Sequence, residues 1–192
     1  MIRLAGATRL SFLFPAPVPA ALEFYGQLVS RLTDYLPHIS LTRQAGPAAF
    51  RMCYQAVELG AYTVHIYCDV AIEQDMERRQ IRVLSRPLPD PVRARAGFNA
   101  TTASGVYHST STFYPHEDGT RVDFALALSG DLPTPYSMRI MPGGVCDAIA
   151  QSIARRRIQE IARGFIYATR ADYQAQPPQT RFVSFSPAVA AP

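Results

Sequence analysis

Apolar residues recur along this chain with two periods. From Gly143 to Gln174 the spacing is helical. At about 100° per residue, Ile149, Ile153, Ala154, Ile158, Ile161, Phe165 and Ala168 fall on one stripe, while Arg155, Arg156, Glu160, Arg163 and Arg170 fall mostly outside it. Pro142 and Gly143-Gly144 precede this stretch, Asp147 suits the positive end of the helix dipole, and Pro177-Pro178 end it. One long amphipathic helix is predicted, long enough to overhang the sheet beneath it. Elsewhere the period is two. Tyr62, Val64, Ile66, Cys68, Val70 and Ile72 alternate with Thr63, His65, Tyr67 and Asp69, and Val122, Phe124, Leu126 and Leu128 alternate with Arg121 and Asp123. Each of these strands has an apolar face that another layer must cover, and the helix stripe supplies the cover.

The remaining elements follow the same logic. Leu10, Phe12 and Phe14 define a first strand over Ala7 to Phe14, ended by Pro15, Pro17 and Pro19. Val18, Leu22, Tyr25, Leu28 and Val29 then fit a helix, and Ser30 to Tyr35 a second, short one capped by Ser30 and stopped at Pro37. Strands are predicted over Ile39 to Gln44, Ala49 to Leu59, Tyr62 to Glu73, Arg79 to Leu84, Ser104 to Tyr114 and Thr120 to Leu128. Ser85 to Ala103, with three prolines, reads as a long connection and a candidate rim or lid. The fold class is therefore α+β, with about seven antiparallel strands in the order β-α-α-β6-α. The expected organisation is one domain over residues 1–174 and a proline-rich tail over 175–192.

Composition narrows the function. All 19 basic residues are arginine, against 15 acidic ones, and they are scattered; a net charge of +4 in this form does not imply nucleic-acid binding. Cys53, Cys68 and Cys146 are odd in number and lack metal-binding spacing, so buried thiols in a cytoplasmic protein are expected. No apolar run reaches the ~20 residues a membrane helix needs. Arg3, Arg9 and Leu10 to Phe14 loosely imitate a secretory leader, but the prolines interrupt it and a strand is the better reading. Nucleotide-loop, metalloprotease and nucleophile-elbow motifs are absent, so no cofactor and no metal is expected.

The order of elements, together with FPAPVPAALEFYGQLVSRLTDYLPHIS at positions 14–40, resembles the START-like, or helix-grip, superfamily (SRPBCC proteins, related to the birch pollen allergen). In that superfamily a first strand runs into a proline-marked helix pair, which often closes with Leu-Pro as at Leu36-Pro37. The chain is similar to members of no assigned activity in bacteria, cyanobacteria and plastids. The resemblance spans roughly residues 7–174 and implies a curved sheet gripping the long helix, often around an apolar cavity. It does not supply an activity, since the superfamily includes carriers, cyclases, receptors and oxygenase subunits.

Candidate ligand contacts are Arg157, Ile153, Ile161, Phe165, His108, Tyr54, Phe124 and Met141; no residue is assigned to catalysis. Arg157 stands inside the apolar stripe. Either its stem packs while the guanidinium reaches the rim, or it faces the cavity and meets an acidic ligand group or a buried carboxylate. His108 shares its strand face with Val106, Thr110, Thr112 and Tyr114, which would point it inward. Three functions are compatible with these residues. The first is a non-catalytic binding protein for a hydrophobic or amphipathic small molecule, such as a lipid, isoprenoid, quinone or pigment-like compound. The second is an assembly subunit that meets a protein partner through the helix end and the tail around Arg181 to Phe185. The third is a cyclase-like enzyme using His108 or tyrosines.

Overall fold

The computed structural model describes residues 1–176, the side chains of Val29 and Ser30 excepted. Strand β1 (Ile2–Phe14) leads through Pro15 and Pro17 into α1 (Val18–Gln27), a 3-10 turn (Leu28–Arg31) and α2 (Leu32–Tyr35). Next come β2 (Ile39–Gln44), β3 (Ala49–Glu58), β4 (Tyr62–Asp75), β5 (Gln80–Ser85), β6 (Arg95–Ala96), β7 (Ala100–His116) and β8 (Gly119–Leu132). A 3-10 turn (Tyr136–Met138) and α3 (Gly143–Ala175) complete the described chain. The strands form one sheet in the order β1-β8-β7-β5-β4-β3-β2, with two-residue β6 pairing on β7. The predicted α+β architecture is present, with β6 added to the expected seven strands.

Register explains most departures from the predicted boundaries. β1 pairs with β8 without a break from Ile2↔Leu132 to Phe14↔Thr120, so the first strand begins at Ile2 rather than Ala7. Small residues Ala5, Gly6 and Ala7 hide the alternation at that end of the sequence. β7 pairs antiparallel with β5 through Ser109 to Thr112, but parallel with β4 through Ala100 to Ser104. β5 ends at Ser85, and β7 closes directly on β4 where β5 is missing.

The connection after β5 is not a lid. Its first part, Leu88 to Asp90, lies on the outer face of the sheet, where Arg51 bonds both oxygens of Asp69 at 2.5 and 2.8 Å. Leu88 N–H donates to the same carboxylate at 2.9 Å, and Arg51 donates to the Asp90 carbonyl at 2.7 Å. The helix pair also differs from expectation. The backbone runs through the 3-10 turn, and α2 starts after Arg31 with no side-chain cap. Its last residue, Tyr35, is buried and donates to Asp172 of α3 at 2.5 Å, which ties α2 across the sheet opening.

α3 has 33 residues and is about 50 Å long at 1.5 Å per residue. Asp147 does not sit in its first turn. Its carboxylate accepts the Arg3 N–H of the edge strand β1 at 2.8 Å. The far end does not overhang freely either. Tyr173 is buried against Phe14 and Phe24, with ring centroids 4.9 and 5.3 Å apart, inside an aromatic cluster completed by Tyr25 and Phe113.

Candidate functional site

The stripe of α3 has two edges that differ in burial. Ala154, Ile158 and Ala162 are buried, Ile158 and Ala162 in a cluster with Leu10, Phe124 and Leu126. Small residues bring the backbones close. A Cβ on Gly6 would stand 2.5 Å from Ile158 Cδ1, so glycine at that position is what lets the helix lie on β1. The other edge is Ile149, Ile153, Arg157 and Ile161. These side chains are only partly buried and, together with the buried edge, border a cavity of about 220 Å³.

Three walls complete this cavity. The sheet contributes the inward residues of β3 and β4, among them Met52, Tyr54, Tyr62, Val64, Ile66 and Cys68, and Leu28, Leu32 and Leu36 descend from the helical segment. Phe124, Leu126 and Leu128 of β8 lie under the helix. Charge enters at one place. Glu58, the last residue of β3, shares the inward parity of Met52 and Tyr54 and receives Arg157 in a two-pronged bond, Nε to Oε1 at 2.9 Å and Nη2 to Oε2 at 3.3 Å. Tyr54 donates its hydroxyl to Glu58 Oε1 at 2.8 Å, and Arg157 Nη1 donates to Glu160 at 3.0 Å. Bonding to Glu58 holds the Arg157 guanidinium firmly protonated, and burial, reinforced by Glu58, raises the Tyr54 hydroxyl above the ordinary tyrosine range.

A second polar group is neutral. Tyr107, Ser109 and Ser111 of β7 line the cavity. Burial pushes Tyr107 up to about 12, against the opposing effect of its bond with Ser109. The Cys68 thiol, also on the lining, is pushed up to about 12 by burial. At neutral pH all of these groups hold their protons.

Of the residues selected from sequence, Arg157, Ile153, Ile161, Phe165, Tyr54 and Phe124 line the cavity together. His108 does not. It is exposed on the outer face with Val106 and Tyr114, because β7 carries the opposite parity from the one expected. The inward set is Thr101, Ala103, Tyr107, Ser109, Ser111 and Phe113; hydroxyls on the inner face and apolar residues on the outer one invert the usual signal. Met141 also lies elsewhere, beside a surface hollow bordered by Met1, Pro133 and Arg139. Glu58 went unselected although its parity with Met52 and Tyr54 was the available signal. The tail residues Arg181 to Phe185 lie outside the described residues.

The sheet curved around α3, with a cavity between them, defines a helix-grip fold, the class expected from the sequence resemblance. TTHA0849 from Thermus thermophilus superposes with a TM-score of 0.51 at 22% identity, over 86% of this chain and 98% of that one. The Zhui aromatase/cyclase from Streptomyces sp. R1128 matches with a TM-score of 0.52 at 10% identity, over 88% of this chain and 93% of that one. Truncated norcoclaurine synthase from Thalictrum flavum matches with a TM-score of 0.52 at 11% identity, over 92% and 98%. At these identities the likeness is one of fold. No protein-family model matches the chain, and no curated protein matches it in sequence. Among the described residues no helix is long and apolar enough to cross a membrane.

Proposed function

We propose that this chain is a non-catalytic binding protein for a hydrophobic or amphipathic small molecule held between the sheet and α3. The observation that carries the reading is the cavity along the whole apolar stripe of α3. Ile149, Ile153 and Ile161 border an apolar space of about 220 Å³ instead of packing against β3 and β4. A chain selected only for stability would fill that space, since side chains facing a void forgo contacts their neighbours enjoy. A binding role also suits the polar groups of the lining. Glu58 is bonded by both Tyr54 and Arg157, and His108 faces away, so neither the cavity carboxylate nor that histidine is available as a base.

Two measurements test this. Native mass spectrometry of protein isolated from its own host is expected to show one bound organic molecule per chain. Titration with N-phenyl-1-naphthylamine, an uncharged apolar fluorophore, is expected to saturate at one site. Ile153→Trp, which places an indole in the cavity, should reduce that affinity at least tenfold. Failure of both the native protein to bind the fluorophore and the host protein to carry a ligand would refute the reading.

A further inference from the structure

Glu58 and Arg157 are the charged side chains on the cavity lining among the described residues, and they are already spent on each other. Three of the five guanidinium N–H groups of Arg157 point at carboxylates, two at Glu58 and one at Glu160. The planar edge that would hold a ligand carboxylate in a bidentate pair is occupied by Glu58, whose side chain is only 12% exposed. Around this one cation stand two carboxylates. Arg156, the other cation on Glu160, lies on the solvent side with 72% of its side chain exposed. An anionic head entering the cavity therefore meets Glu58, with Glu160 outside the lining on the far side of Arg157, and no free cation among the described lining residues to receive it. The groups left for a ligand are neutral hydroxyls, those of Tyr62, Tyr107, Ser109 and Ser111 among them, which can either donate or accept.

Building on the binding reading above, we infer that the cavity takes an uncharged ligand, an apolar body bearing hydroxyl or carbonyl groups, and rejects the same body bearing a carboxylate. The Glu58–Arg157 pair acts as a charge-neutral plug at the mouth that selects against acids. Of the alternatives the sequence leaves for Arg157, the structure realises the buried carboxylate, Glu58, and no acidic ligand group is needed to pair it.

The test uses the full chain and three fluorescent probes that share one three-ring body: 9-anthracenemethanol, 9-anthracenecarboxylate and 9-(aminomethyl)anthracene, titrated at pH 7.4. The alcohol is expected to bind at least tenfold tighter than the carboxylate, and tighter than the ammonium form. Glu58→Gln removes one of the two carboxylates and should improve the carboxylate probe at least threefold relative to the alcohol. Glu160→Gln, on the exposed side of the helix, should move the ratio in the same direction and serves where the Glu58 variant does not fold. A carboxylate that binds the native protein as well as the alcohol overturns the inference and leaves the binding reading intact. So does a ratio unchanged in the folded variants, which would detach selectivity from the ion pair. Ammonium binding equal to the alcohol would make Glu58 a cation site and overturn it as well. If none of the three probes binds, the inference is overturned, and the binding reading is decided by the fluorophore and host-ligand measurements above.

Discussion

Arg156 and Arg157 are adjacent in sequence and treated differently by the fold. Arg156 reaches Glu160 at 3.0 Å with most of its side chain in water, a pair of the kind worth little. Arg157 is 26% exposed and bonded on two sides to Glu58. Replacing Arg157 by leucine leaves a mostly buried carboxylate whose remaining bond is the Tyr54 hydroxyl. The expected cost is about 1–3 kcal/mol, because an orphaned charge loses its partner without regaining water. Arg156→Leu should stay within about 0.5 kcal/mol of the parent. Urea denaturation of both variants checks this, and equal midpoints would contradict the buried pairing.

At the scale of elements, the position of α3 depends on a contact no larger than one carbon. Gly6 faces Ile158 so closely that an added Cβ requires Ile158 Cδ1, 2.5 Å away, to yield. Ile158 packs with Phe124, Leu126 and Ala162 but also borders the cavity, so Cδ1, the free end of the side chain, can yield in that direction. Gly6→Ala should therefore destabilise by about 1 kcal/mol, the low end of the range for overpacking. Ile158→Val deletes the obstructing carbon, so the double variant should lose less than the sum of the single losses. A purely additive cycle, measured by chemical denaturation, would mean that the helix is placed by other contacts. The same helix shows what sequence reading can and cannot deliver. Its stripe was legible from period alone, but which of its edges is fully buried and which only partly was not. Both edges are apolar, and only the partner across the gap distinguishes them. β7 failed for a related reason. Serine and threonine on its inner face and Val106 and Tyr114 on its outer face give a polarity pattern opposite to burial, and that placed His108 on the wrong side.

For the whole molecule, the architecture was readable because each layer announces its buried face in residues such as Tyr62 to Ile72 and Val122 to Leu128, and because prolines punctuate the helical segment. The cavity was not readable, since a void is a property of several layers at once and no single period encodes it. What the sequence also hides is how many weak acids the fold keeps protonated. Burial raises the hydroxyls of Tyr25 and Tyr54, pushes Tyr35 and Tyr107 up to about 12, and pushes the Cys68 thiol up to about 12. Ordinary values in an unfolded chain are about 8.5 for a thiol and about 10 for tyrosine. A group raised on folding contributes stability that is whole below its unfolded pKa and is lost as pH rises towards its folded one. Asp69 has the opposite sign. Its bond from Arg51 lowers its pKa, so its contribution is present above about pH 4 and lost as pH falls below it. Stability should therefore hold level through neutrality, begin to fall near pH 9 as unfolded thiol ionises, and fall more steeply from about pH 10 to 12. Tyr107→Phe separates this linkage from general alkaline damage. At pH 7 the variant lacks the Tyr107–Ser109 bond and is expected to be slightly less stable. Above about pH 10 it no longer has a hydroxyl to ionise on unfolding, so the gap to the parent should narrow. Urea midpoints collected from pH 7 to 11 decide the matter, and parallel curves for parent and variant would show that Tyr107 is not held protonated by the fold.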